Sequence, residues 1–64
     1  MQLSRAKINL VLARKQMTVT QLAERCGISR NRVNVILNSR TVSPMTAGKL
    51  AKALEVDVTE IIEQ

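Results

Sequence analysis

Apolar residues recur along this chain at helical spacing, in short runs separated by polar breaks. Over residues 3–16, Ile8, Val11, Leu12 and Lys15 share one face at three- and four-residue steps, which predicts a first helix. Lys15 suits that face because its aliphatic stem lies on apolar surface while the ammonium stays in water. Leu3 and Leu10 form a second, weaker stripe, either the edge of the core or a contact surface for a partner chain. Thr18–Asn38 then reads TVTQLAERCGISRNRVNVILN. Leu22 and Cys26 are four apart and Val33 and Ile36 three apart, both same-face steps on a helix. Between them sits Gly27, a residue that takes positive φ at little cost. The pattern is two short helices joined by a tight turn, with Ala23 small enough for their backbones to approach closely. Met17, just before the first of them, is expected to pack inward.

The ends of these elements are marked as clearly as their faces. Thr18 and Gln21 make a T-x-x-Q capping box, which starts the second helix at Thr18. Ser29 is an N-cap that starts the third near Arg30, to run to about Leu37 or Asn38. Ser43-Pro44 supplies a cap and a first-turn proline for a fourth helix over about 44–55, burying Ala47, Leu50, Ala51 and Leu54. Asp57-Val58-Thr59-Glu60 is a D-x-x-E box for a last helix of about 58–63, anchored by Ile61 and Ile62. Val56 and Val58 flank the turn before it. No stretch alternates with period two for long enough to make a strand. The expectation is an all-α fold: a single compact five-helix domain over residues 1–64.

Composition narrows the chemistry. A chain of 64 residues is one domain, and chains this short bury only about 60% of the surface exposed by their unfolded form. With no Phe, Tyr or Trp, the core is aliphatic. The lone Cys26 makes no internal disulfide and reads as a small core residue. No apolar run approaches the ~20 residues of a membrane span, and no signal peptide is visible, so a cytoplasmic location is expected. Catalysis has little to work with. There is no His, no glycine-rich phosphate loop and no metal-ligand spacing, and four of the five carboxylates lie in the last ten residues. No enzyme activity, cofactor or metal is expected.

Charge is more telling. Residues 1–54 hold all ten basic residues and one acid, Glu24, for +9, while residues 55–64 hold four acids and no base, for −4. A basic body with an acidic end suggests one face for a polyanion and another kept away from it. The outer face of the third helix carries Arg30, Asn31, Arg32, Asn34 and Val35. In the DNA major groove Arg pairs with the guanine edge, Asn with the adenine edge, and an apolar side chain with the thymine methyl.

These residues resemble the helix-turn-helix of the Cro and lambda-repressor family, the XRE family of DNA-binding regulators. Leu22, Ala23, Cys26, Gly27, Ile28, Val33 and Ile36 each fall where that motif takes an apolar, small or glycine residue. Asn38-Ser39-Arg40 is similar to the loop after the recognition helix, and Leu50-Ala51-Lys52-Ala53-Leu54-Glu55-Val56 to the family's fourth helix. The likeness covers nearly the whole chain. It implies a lambda-repressor-like fold with the helix-turn-helix at helices 2 and 3, and binding to double-stranded DNA. It assigns base reading to Arg30, Asn31 and Val35, with Asn34 beside them. It assigns phosphate contacts to Asn38 and Arg40; Thr18, with the first amides of its helix, makes an anion site, and Arg32 points further round the helix toward phosphate.

Three departures from the family stand out. Val19 occupies the place of a phosphate-binding Gln. Val42, Ser43 and Met45 stand where some phage relatives carry Lys or Arg, so Arg14, Arg25 and Lys49 are candidates to compensate. Leu12 and Leu37 replace an Arg–Glu pair between the first and third helices, a whole-pair swap to packed hydrophobes that is often neutral or stabilising. The resemblance also implies a Cro-like repressor that binds a near-palindromic operator as a homodimer, pairing on DNA, without a small-molecule ligand. The dimer surface is expected at Leu54, Val56, Val58, Ile61 and Ile62. Two alternatives share the sequence: the antitoxin of a toxin–antitoxin pair, and a protein-interaction module using Leu3 and Leu10.

Overall fold

Capping residues, more than helix propensity, set the boundaries of this small fold. A computed structural model describes residues 1–39 and 41–63, and contains four α-helices among them: α1 (Arg5–Lys15), α2 (Val19–Cys26), α3 (Arg30–Leu37) and α4 (Pro44–Leu54). Each begins at a hydroxyl residue whose side chain accepts a first-turn amide: Ser4 from Lys7, Thr18 from Gln21, Ser29 from Arg32 and Ser43 from Thr46. At Thr18 the box closes both ways, Gln21 N donating to Oγ1 at 3.1 Å and Thr18 N donating to Gln21 Oε1 at 2.9 Å. Caps of this kind contribute about 1 kcal/mol each, a useful share of a small domain's stability. Helix α2 ends at Gly27, whose φ of 72° lies in the left-handed region as expected. Gln16 and Glu55 end α1 and α4 in the same region, at φ 52° and 59°, without the freedom of glycine.

The fifth helix does not form. A single 3-10 turn spans Val58–Glu60, and no strand occurs among the described residues. The expected D-x-x-E box forms only in part: Asp57 caps the turn, while Glu60 is engaged elsewhere. Asp57 Oδ1 accepts from Thr59 N at 2.9 Å and from Thr59 Oγ1 at 2.7 Å, while Glu60 reaches Arg14 on α1 at 3.2 Å. Beyond the turn the backbone runs extended beside the start of the chain. Leu3 and Ile62 form an isolated antiparallel bridge, with Ser4 N donating to Ile61 O at 2.8 Å and Glu63 N to Gln2 O at 2.9 Å. Pairing with this segment keeps Leu3 out of the first helix, which starts at Arg5 rather than residue 3.

One aliphatic core joins all these elements. Helix α1 gives Ile8, Val11 and Leu12; α2 gives Leu22 and Ala23; and α3 gives Val33 and Leu37. Leu50, Ala51 and Leu54 of α4 close it with Ile61 from the C-terminal segment. Ile8, Leu22, Leu54, Ile61 and Val33 are the largest fully buried side chains. Each contributes roughly 1.5–3 kcal/mol through burial. Leu12 and Leu37 both lie in this core, so the positions of the family's ion pair are filled by hydrophobes in one apolar cluster. Met17 packs against it as expected, and Cys26 is half-buried there. Burial pushes the Cys26 thiol above its usual range. Helix α2 packs against α3 and α4, and the C-terminal turn packs against α4 and α1. That arrangement leaves one side of α3 facing outward.

Candidate nucleic-acid interface

Helix α3 is held from its inner side only. Val33 and Leu37, one turn apart, point into the core. Ile36, expected to share that face, is half-buried at its edge. Arg30, Asn31, Arg32 and Val35 are exposed, Val35 by 60%, and Asn34 is half-buried. None of the polar side chains among these five makes a hydrogen bond or ion pair within the described residues. A row of two guanidiniums, two amides and one valine, all exposed but the half-buried Asn34, is thus presented on a helix whose backbone is capped at both ends. Ser29 Oγ accepts from Arg32 N at 3.1 Å, and Asn38 N donates to Asn34 O at 3.0 Å. Ser39 Oγ adds a bond to Val35 O at 2.8 Å, fixing the turn after the helix.

Of the residues expected to contact phosphate, Arg32 stands in this row and Thr18 and Asn38 at helix ends. Thr18 is exposed at the N-terminal end of α2, where leading amides and the helix dipole favour an anion. Asn38 is exposed at the other end of α3. Arg40 lies outside the described residues.

Two of the bases expected to compensate are already engaged. Arg14 pairs with Glu60 at 3.2 Å and Arg25 with Glu55 at 3.3 Å. Lys7 Nζ donates to Ile62 O at 3.0 Å and Lys15 Nζ to Glu55 O at 3.4 Å. The acidic end of the chain therefore lies against α1 and the end of α2. Arg30, Arg32, Lys49 and Lys52 have no ion-pair partner among the described residues.

The expected dimer residues divide by burial. Leu54 and Ile61 are 0% exposed and belong to the protein's own core, so neither offers surface to a second copy in this form. Val56, Val58 and Ile62 are half-buried, packed on the outside of that core. Leu3 is half-buried against the core while Leu10 is 70% exposed, so the two do not make one apolar stripe. Sequence reasoning missed Ser4 as a cap and Lys7 as a clamp on the last segment. The Ser-Arg step into the first helix was a visible signal for Ser4, whereas nothing local pairs Lys7 with Ile62.

Among the described residues no helix is long and apolar enough to cross a membrane, and no His, Cys, Asp and Glu side chains group as metal ligands. The comparisons with known proteins point the same way as the outward row on α3. Residues 7–64 match the family model of the Cro/C1-type HTH DNA-binding domain. The uncharacterized HTH-type transcriptional regulator YozG of Bacillus subtilis (strain 168) is 33% identical over 58 residues, which is 88% of this chain and 69% of that protein. No solved structure matches the chain significantly. With the motif's cap, glycine turn and outward helix in place, this chain belongs to the Cro/C1-type helix-turn-helix family of DNA-binding domains.

Proposed function

We propose that this protein is a transcriptional regulator that reads duplex DNA with the outer face of α3, as a small Cro-like repressor. The observation that carries the reading is the unsatisfied row itself. Arg30, Asn31 and Asn34 have no partner among the described residues, on a helix made rigid by its caps and by Val33 and Leu37. Arg30 pairs with guanine, Asn31 or Asn34 with adenine, and Val35 with a thymine methyl. Thr18, Arg32, Asn38 and Arg40 hold phosphates on either side and set the register without reading sequence. The similarity to a transcriptional regulator over most of the chain supports the regulatory role.

One such helix reads only a few base pairs. Two copies on half-sites about 34 Å apart, one turn of B-DNA, give the selectivity that one lacks. The pairing surface is the outer side of the C-terminal segment, Val56, Val58 and Ile62, adjacent to the core side chains Leu54 and Ile61 that support it. The surface is small, so pairing is completed on DNA.

Selection from random duplexes tests both parts. The expected product is a near-palindrome whose affinity falls linearly on a log–log plot against salt. Enrichment of no common sequence would overturn the reading. For the pairing surface, a Val58→Glu protein shown to be helical by circular dichroism should bind a full palindrome no more tightly than a half-site. An unchanged preference for the palindrome would move the interface elsewhere.

A further inference from the structure

Helix α4 carries a second stripe along the edge of the one that fills the core. Thr46, Lys49, Leu50 and Ala53 follow i, i+3, i+4, i+7 spacing, with Leu50 shared with the buried stripe of Ala47, Ala51 and Leu54. They form one wall of an open groove of about 730 Å³. The opposite wall comes from the helix-turn-helix: Cys26 from the end of α2, Ile28 from the turn, and Arg32 and Ile36 from α3. The floor is apolar and incompletely covered, since Ile28 is 37% exposed and Cys26, Ile36 and Ala53 are only half-buried. The rim is cationic. Arg32, Lys49 and Lys52 border it without an ion-pair partner among the described residues. The single acid, Glu55, is paired with Arg25 at the groove's end.

We infer that this groove docks an acidic amphipathic helix of a partner protein, and that its occupancy opposes DNA binding. Charge complementarity selects the occupant. Three unpaired cations around an apolar floor fit carboxylates flanking a row of aliphatic side chains. The wall matches in length too, because Thr46 to Ala53 rises about 10 Å along α4, two turns of a docked helix. A phosphate backbone would use the cations but leave Ile28, Ile36 and Ala53 wet. Arg32 belongs both to this rim and to the row assigned to DNA, so one side chain cannot serve both partners. That antagonism rests on the DNA reading, whereas the docking itself does not.

The test is a selection from a displayed library of helical peptides on the DNA-free protein, with a Lys49→Glu/Lys52→Glu variant as control. Both lysines are exposed, and circular dichroism verifies that the variant folds. The expected winners carry acids beside aliphatic anchors at i, i+3 or i+4 and i+7, and bind the variant at least about tenfold more weakly. Random duplex DNA should displace a winning peptide from the unaltered protein. An Arg30→Ala protein should keep the peptide while losing base preference, which separates this inference from the DNA reading. Winners without acids, or binding equal on the variant, would overturn it. So would amide NMR shifts at Arg32, Lys49 and Ala53 that respond to duplex DNA but to no peptide.

Discussion

The molecule carries bases on two faces and uses them in opposite ways. On α1 and the end of α2, Arg14 and Arg25 are paired with acids of the C-terminal segment, and Lys7 and Lys15 donate to its carbonyls. On α3, the side chains of Arg30 and Arg32 bond to nothing among the described residues, and neither do those of Asn31 and Asn34. The same residue type thus closes the fold on one side and remains available on the other. What separates the two sides is proximity to the acidic end, which the fold delivers to α1.

Four substitutions or conditions break or sharpen that contrast. The largest effect comes from removing the scaffold beneath both faces. Leu22 is 0% exposed at the centre of the core, so Leu22→Ala should cost about 2–5 kcal/mol of stability in urea unfolding, enough to leave much of so small a domain unfolded. Next is Arg30→Ala. Folding stability should change by less than about 0.5 kcal/mol, while specific DNA affinity falls by about 1–3 kcal/mol. On the opposite face, Glu60→Gln removes an ion pair whose side chains are 58% and 42% exposed, so solvent screening limits the loss to under about 1 kcal/mol in thermal unfolding.

The smallest effect is acid-dependent. The Thr59 amide, and then the Thr59 hydroxyl, hold the Asp57 carboxyl below its ordinary range. A depressed carboxyl contributes stability above its unfolded value and loses it as pH falls through the folded value. Acidification should therefore lower the melting temperature slightly, and Asp57→Asn, which keeps a capping acceptor, should flatten that decline. An Asp57→Asn protein with an unaltered acid profile would deny the carboxylate this role.

Much of this architecture is legible in the chain because local chemistry encodes it. Thr18 with Gln21, Ser29, Gly27 and Ser43-Pro44 each act within a few residues, and each appears where its pattern places it. The C-terminal end was not legible, because what decides it is distant in sequence. Asp57 and Glu60 carry a helix-start pattern, yet Glu60 finds Arg14 and Ile62 finds Leu3, partners brought close only by the fold. The same limit applies to the expected dimer residues. The apolar residues between Leu54 and Ile62 give no sign that Leu54 and Ile61 close the core while Val56, Val58 and Ile62 lie outside it. On α3 the outward row was readable from helical spacing, except that Leu37 rather than Ile36 completes the inner face.

In the function we propose, the outer row of α3 carries sequence information, with Arg30 on a base edge and Arg32 on phosphate. The most direct measurement compares the unaltered protein with Arg30→Ala and Arg32→Ala on a selected operator and its single-base variants, at fixed salt. Arg30→Ala should become indifferent to one base pair and keep its preferences elsewhere. Arg32→Ala should weaken every duplex alike and reduce the salt slope by about one phosphate contact. If Arg30→Ala kept the full pattern of base preferences at uniformly lower affinity, the row on α3 would be a phosphate-binding surface, and the account of sequence reading would be contradicted.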